Sequence, residues 1–236
     1  MKLIIFDIDG TIINSVKTDD ECFIQTFAAL YQIDLAKANW NEFTHVTDWG
    51  LTQEIFEKWQ GRMPTKEDII TIKNHFYGLL LQRANEFTEV KNALIFIQQL
   101  SSMPDVEIGF ATGGWKETAE LKCNTIGLDL NNFIFKSSND HFQRDKIMEL
   151  VIEEAVNKHH NAEFESITYF GDGLWDLKAT QALGINFIGV DNTQNHKLRK
   201  AGVEKVISDY EDLDRILGWI NESKRTNGRH QKTTNQ

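Results

Sequence analysis

Cysteine is nearly absent from this 236-residue chain. Cys22 and Cys123 stand alone without C-x-x-C spacing, which argues against a disulfide scaffold and against a thiolate zinc site. A reduced, cytoplasmic setting is the expectation. Proline is as rare, and Pro64 and Pro104 leave room for long uninterrupted helices. Long apolar runs are missing too. The N-terminal run is interrupted at Asp7, too early for a signal-peptide core, and no stretch approaches the roughly 20 apolar residues of a membrane span. Positive charge is in short supply: 25 Lys and Arg face 35 Asp and Glu, a formal net charge of -10. Four of those cations, Lys224, Arg225, Arg229 and Lys232, follow the last acid, Glu222, so the preceding body is more acidic still. Such a body should bind neither nucleic acid nor an anionic membrane. An anionic substrate would need a metal or a local Lys or Arg to receive it. Nothing in the composition speaks to oligomeric state, and there are no internal repeats.

What the chain does have is apolar bulk, 41% hydrophobic with 15 Phe, enough for a large core. Residues Lys2 to Thr11 read K-L-I-I-F-D-I-D-G-T, a buried strand that runs into two carboxylates and a glycine. Side chains at i and i+2 of a strand share a face, so Asp7 and Asp9 should leave together while Phe6 and Ile8 pack opposite. Like charges this close call for a cation between them or a retained proton. Helical spacing then rules for about seventy-five residues, through Cys22, Phe23, Phe27 and Leu30, then Leu51, Ile55, Phe56 and Trp59, then Ile69, Ile72, Phe76 and Leu80. Strands follow at 106–112, 133–135, 166–172, 185–190 and 205–208, separated by helices over 90–100, 116–126, 140–157 and 175–183, with a last helix over 210–221. This alternation implies right-handed crossovers and an α/β fold with a doubly wound, mainly parallel sheet. The core is expected over 1–14 and 89–222, a helical insertion over 15–88, and a disordered polar tail over 223–236, which has no apolar residue.

Ligands of such sheets gather at the carboxyl ends of the strands. Those ends carry Asp7-Ile8-Asp9-Gly10-Thr11, then Thr112-Gly113-Gly114, then Gly171-Asp172-Gly173-Leu174-Trp175-Asp176. Carboxylates beside a hydroxyl and free backbone amides suit a hard cation, such as Mg²⁺, together with a phosphate.

These motifs, in this order, resemble the haloacid dehalogenase superfamily, and the resemblance runs to about Asn221. It implies a Rossmann-like core with a helical cap inserted after the first motif, as in phosphoglycolate phosphatase and beta-phosphoglucomutase relatives. By the same resemblance Asp7 is the nucleophile that forms an aspartyl-phosphate. Asp9 is the general acid and base, and its being Asp favours phosphate esters over dehalogenase or phosphonatase chemistry. Asp7, Asp172 and the Asp9 backbone carbonyl would hold Mg²⁺, with Asp176 in support. Thr112 and the Gly113 amide would bind phosphoryl oxygens. The phosphate-site cation is Arg144 or Lys146; helical phase against Ile147 and Met148 favours Arg144, although the family more often has lysine. Thr47 to Gly50 form a turn before a helix, and Asp48 and Trp49 are expected to touch the leaving group, Trp49 alternatively serving cap–core packing. An acidic Asp48 would disfavour carboxylated substrates and suit hydroxyls or an amine. The expected function is a Mg²⁺-dependent phosphatase acting on a small phosphorylated metabolite. The alternatives are a sugar phosphomutase using the same intermediate, or a non-catalytic binding module.

Overall fold

Alternation along the first strand separates two packed layers. In the computed structural model, which describes residues 1–161, 163–193 and 195–222, strand β1 spans Lys2–Phe6. Leu3 and Ile5 face a cluster with Ile147, Met148 and Val151, whereas Ile4 and Phe6 face another with Phe96, Phe170 and Tyr210. A strand apolar on both faces belongs in the middle of a sheet covered on both sides by helices. After β1 come β2 (Ile13–Asn14), α1 (Val16–Tyr31), α2 (Asp48–Gln60), α3 (Lys66–Gln82), β3 (Thr88–Glu89), α4 (Ala93–Ser101), β4 (Val106–Ala111) and α5 (Lys116–Thr125). The chain continues with β5 (Ile134–Lys136), α6 (Arg144–Lys158), β6 (Ser166–Gly171), α7 (Leu174–Leu183), β7 (Asn186–Val190), α8 (Lys197–Lys200), β8 (Val206–Ile207) and α9 (Leu213–Asn221). Six strands form a parallel sheet in the order β5-β4-β1-β6-β7-β8, with β1 between β4 and β6. The expected α/β, mainly parallel sheet is therefore the observed one. The expected tail over 223–236 lies outside the described residues.

Helices α1, α2 and α3 sit between β2 and β3, which pair antiparallel as Ile13 with Glu89 and Asn14 with Thr88. Two strands of two residues each carry too little periodicity to be read from sequence. The helices bury one stripe each, joined by aromatic contacts such as Phe23–Phe76 at 5.5 Å and Phe27–Phe56 at 6.4 Å between ring centres. Trp115, on the core side and 1% exposed, packs against Phe23 and Phe76 and so ties the insertion to the sheet. Three helices start later than the sequence expectation, among them α9, at Leu213 rather than 210. Asn92, left-handed at φ 64, delays α4 to Ala93. The turn in which Asp140 accepts from the Ser137 N–H delays α6 to Arg144, which places that side chain at the helix's first turn.

Candidate active site

Because β1 ends at Phe6, the two-residue period stops before the carboxylates, and their partners diverge. Asp7 and Asp9 still meet one cavity, with Phe6 and Ile8 in the core behind them, as the i, i+2 spacing expects, but each takes its own partners. Asp7 is 2% exposed, donates its N–H to the Phe170 carbonyl at 2.9 Å, and accepts at Oδ1 from Arg144 Nη1 at 3.0 Å. Gly10, at φ 73, then turns the chain, and its α-carbon lies so close to Asp172 that a Cβ would stand 2.7 Å from that carboxylate. Asp9 Oδ1 accepts from Ser15 Oγ at 2.5 Å and from Lys122 Nζ at 2.6 Å. Both carboxylates line one cavity of about 90 Å³, shared with Asp19, Asp20, Asp48, Thr112, Gly113, Gly114, Arg144, Asp172 and Trp175.

Arg144 is the cation of this cavity. Its Nη1 meets Asp7, and its Nε stands 3.5 Å from Asp176 Oδ1 without an aligned hydrogen bond. Gly113 makes room for it: a Cβ there would lie 2.7 Å from Nη2. Burial works against the guanidinium charge, but Asp176 and Asp7 more than offset it. Lys146, the other expected cation, does not enter the site. Its ammonium pairs with Glu149 Oε2 at 2.6 Å on the outer face of α6, because two residues of helix turn it away from Arg144.

Asp7, Asp172 and Asp176 bring carboxylate oxygens within 4.8 Å of one another. Burial pushes Asp7 well up from the usual carboxylate range, Arg144 opposing, and pushes Asp172 up to about 6, Lys197 opposing at 2.9 Å. Buried hard oxygen donors that converge in this way fit a divalent cation such as Mg²⁺. Asp176 lies wholly buried behind the others, accepting from the Gly173 N–H at 3.0 Å and from the Tyr169 hydroxyl at 3.3 Å. On the opposite wall the Thr112 hydroxyl oxygen accepts the Gly114 N–H at 3.1 Å, which leaves its proton free to donate.

The start of α2 closes over these residues. Thr47 caps the helix by accepting from the Gly50 N–H and donates to the Phe142 carbonyl at 2.6 Å. The Asp48 N–H donates to the Gly113 carbonyl at 2.8 Å, and its Oδ2 accepts from the Trp115 N–H at 2.8 Å. Trp49 donates its N–H to Ser138 Oγ at 2.9 Å. Asp48 thus lines the cavity, while Trp49 is not among its lining residues and meets the core through its backbone.

Four charged groups here were not singled out from the sequence: Lys122, Asp19, Asp20 and the Lys197 that meets Asp172. Lys122 lies on the buried stripe of α5 with Thr118, Ala119 and Cys123, so a lysine in apolar phase was the available signal. Its fully buried ammonium joins Asp9 to Asp19 Oδ1, also at 2.6 Å. Asp19 is pushed up to about 6, chiefly by burial. Asp20, which accepts from Trp40 Nε1 at 3.1 Å, is pushed up to about 7 by burial and then by the charge of Asp19.

Comparison with known proteins bears on the family and the fold. A family model described as haloacid dehalogenase-like hydrolase matches residues 4–190. The fold superimposes on a hydrolase from Pseudomonas syringae with a TM-score of 0.72 at 20% identity, covering 92% of this chain and 98% of that one. It superimposes on CbbY from Rhodobacter sphaeroides, solved in complex with phosphate, with a TM-score of 0.69 at 18% identity over 89% and 95% of the two chains. A haloacid dehalogenase-like family protein from Streptococcus pneumoniae gives 0.60 at 17% identity over 92% and 97%. At these identities the structural likeness is one of fold. No curated protein matches the chain.

Proposed function

The chain belongs to the haloacid dehalogenase-like hydrolases, and from that membership we propose that it hydrolyses a small phosphate monoester through Asp7. The observation that carries this reading is the buried Asp7 carboxylate, held by Arg144 at 3.0 Å inside a cavity that also presents Asp9, Thr112 and Asp172. Arg144 fixes one Asp7 oxygen, which leaves the other to attack phosphorus. The Thr112 hydroxyl proton and the guanidinium are donors for phosphoryl oxygens, where charge must be met in the transition state. Asp9 gives its proton to the departing oxygen and recovers one from the water that releases phosphate. Asp7, Asp172 and the Asp9 backbone carbonyl are the residues that would hold Mg²⁺, with Asp176 in support. When bound, Mg²⁺ supplies neutralisation of the phosphoryl charge.

Residues 15–88 act in this reading as a cap on a core formed by 1–14 and 89–222, and cap closure excludes water. The carboxylates Asp19, Asp20 and Asp48 line the same cavity, which supports a leaving group bearing hydroxyls or an amine over one bearing a carboxylate. The test is a phosphate-release screen over sugar phosphates, nucleotides, phosphoglycolate and amino phosphates, with and without Mg²⁺. The reading expects Mg²⁺-dependent release that Asp7→Asn abolishes with the fold intact. Full turnover by that variant would remove Asp7 as nucleophile. Interconversion of sugar phosphates without release would make the enzyme a mutase.

A further inference from the structure

Lys122 has no part in the reading above, yet it is the most completely buried cation near the site. Its side chain is 0% exposed, and its ammonium stands 2.6 Å from Asp9 Oδ1 and 2.6 Å from Asp19 Oδ1. A buried ion triad is a poor device for stability alone, because apolar side chains of similar volume do as well or better. Its position is more telling. Lys122 comes from α5, the helix that follows Thr112 to Gly114, while Asp19 comes from α1 of the insertion and Asp9 from the loop after β1.

We infer that Lys122 is a positioning residue for proton transfer, clamping one oxygen of Asp9 so that the other carries the proton delivered to the leaving group. This rests on the phosphatase reading and goes beyond it. Oδ1 already accepts two hydrogen bonds, from Lys122 and from Ser15 at 2.5 Å, so a proton on Asp9 belongs on Oδ2. Oδ2 faces the Gly114 side of the cavity, where a Cβ on Gly114 would lie 3.6 Å from it, 3.5 Å from Thr112 Oγ1 and 3.8 Å from Asp48 Oδ2. In the step itself an Asp7 oxygen bonds to phosphorus as the phosphorus–oxygen bond to the leaving group breaks. The Asp9 proton passes from Oδ2 to the departing oxygen, which gives a neutral alcohol and an ionised Asp9. That carboxylate is then held in place by Lys122 to accept a proton from water. Because Asp19 shares the ammonium, the clamp is complete only when α1 lies against α5.

The test compares phenyl phosphate with 4-nitrophenyl phosphate, close in shape but unequal in how much the departing oxygen needs a proton. Lys122→Met is measured against the wild type. Lys122→Met/Asp19→Asn, which removes one positive and one negative charge together should the single variant fail to fold, is measured against Asp19→Asn. The inference expects kcat/KM on phenyl phosphate to fall at least about 10-fold further than on 4-nitrophenyl phosphate, since general acid help matters most for the poorer leaving group. An equal loss on both esters, or none on either, would overturn the positioning role while leaving the phosphatase reading intact. A wild type that releases phosphate from neither these esters nor any in the screen would overturn both.

Discussion

Asp7 is gripped by a planar fork, and this is the residue-scale difference between this site and one built on lysine. The guanidinium meets Asp7 and stands beside Asp176, which a single ammonium could not do with the same geometry. Arg144→Ala should lower kcat by roughly 10²–10³-fold, the usual loss of a transition-state donor, and Arg144→Lys should recover only part of it. Steady-state kinetics on any ester found by the screen checks this, and an undiminished Ala variant would contradict it. Helical phase was enough to prefer Arg144 over Lys146, because the difference lies within one element. Lys122 was not legible in the same way. Its partners Asp9 and Asp19 lie 113 and 103 positions away in the chain, so only the fold could join them. The i, i+2 argument put Asp7 and Asp9 on one face, and both line one cavity, but it could not give their different partners because β1 stops at Phe6.

At the scale of elements, the seam between α2 and the core is held by four hydrogen bonds from Thr47, Asp48, Trp49 and Trp115, plus the Trp115 ring. Thr47→Val removes both the helix cap and the bond to Phe142 and should cost about 1 kcal/mol, the usual worth of a cap, together with a rise in KM. Trp115→Ala empties the aromatic contact with Phe23 and Phe76 and should cost about 3–5 kcal/mol. Urea unfolding of the two variants measures both costs, and equal midpoints would refute the ranking. The main strands and helices were readable because each repeats its period several times. The β2–β3 pair and the four-residue α8 were not, for they are too short to show one. Yet α8 matters, since it carries Lys197 onto Asp172.

Across the whole molecule, an acidic chain has gathered one group of carboxylates inward beside Arg144 and Lys197, each at a helix start, and the buried Lys122. Burial raises Asp19 and Asp172 to about 6 and Asp20 to about 7. Each therefore holds its proton in the folded state after it would have lost it unfolded. The stability that these three groups contribute to the metal-free protein should be full below about pH 4 and decline as pH rises through about 7, because the folded state binds more protons over that window. Added Mg²⁺ should raise the unfolding midpoint at pH 8 more than at pH 5, where protons compete for the same oxygens. Thermal unfolding in EDTA and in Mg²⁺ at the two pH values reads both effects, and a metal-free protein that gains stability from pH 5 to pH 8 would count against the buried carboxylates as its source.

All of these expectations converge on Asp7 as the atom that takes the phosphoryl group, and that can be observed directly. The enzyme is mixed with an ester found by the screen, quenched in acid during the first turnover, and its peptides are weighed by mass spectrometry. The account predicts the mass of one phosphoryl group on the peptide that carries Asp7, absent from Asp7→Asn. A label on any other residue, or an enzyme that turns over with no labelled peptide at any quench time, would contradict it.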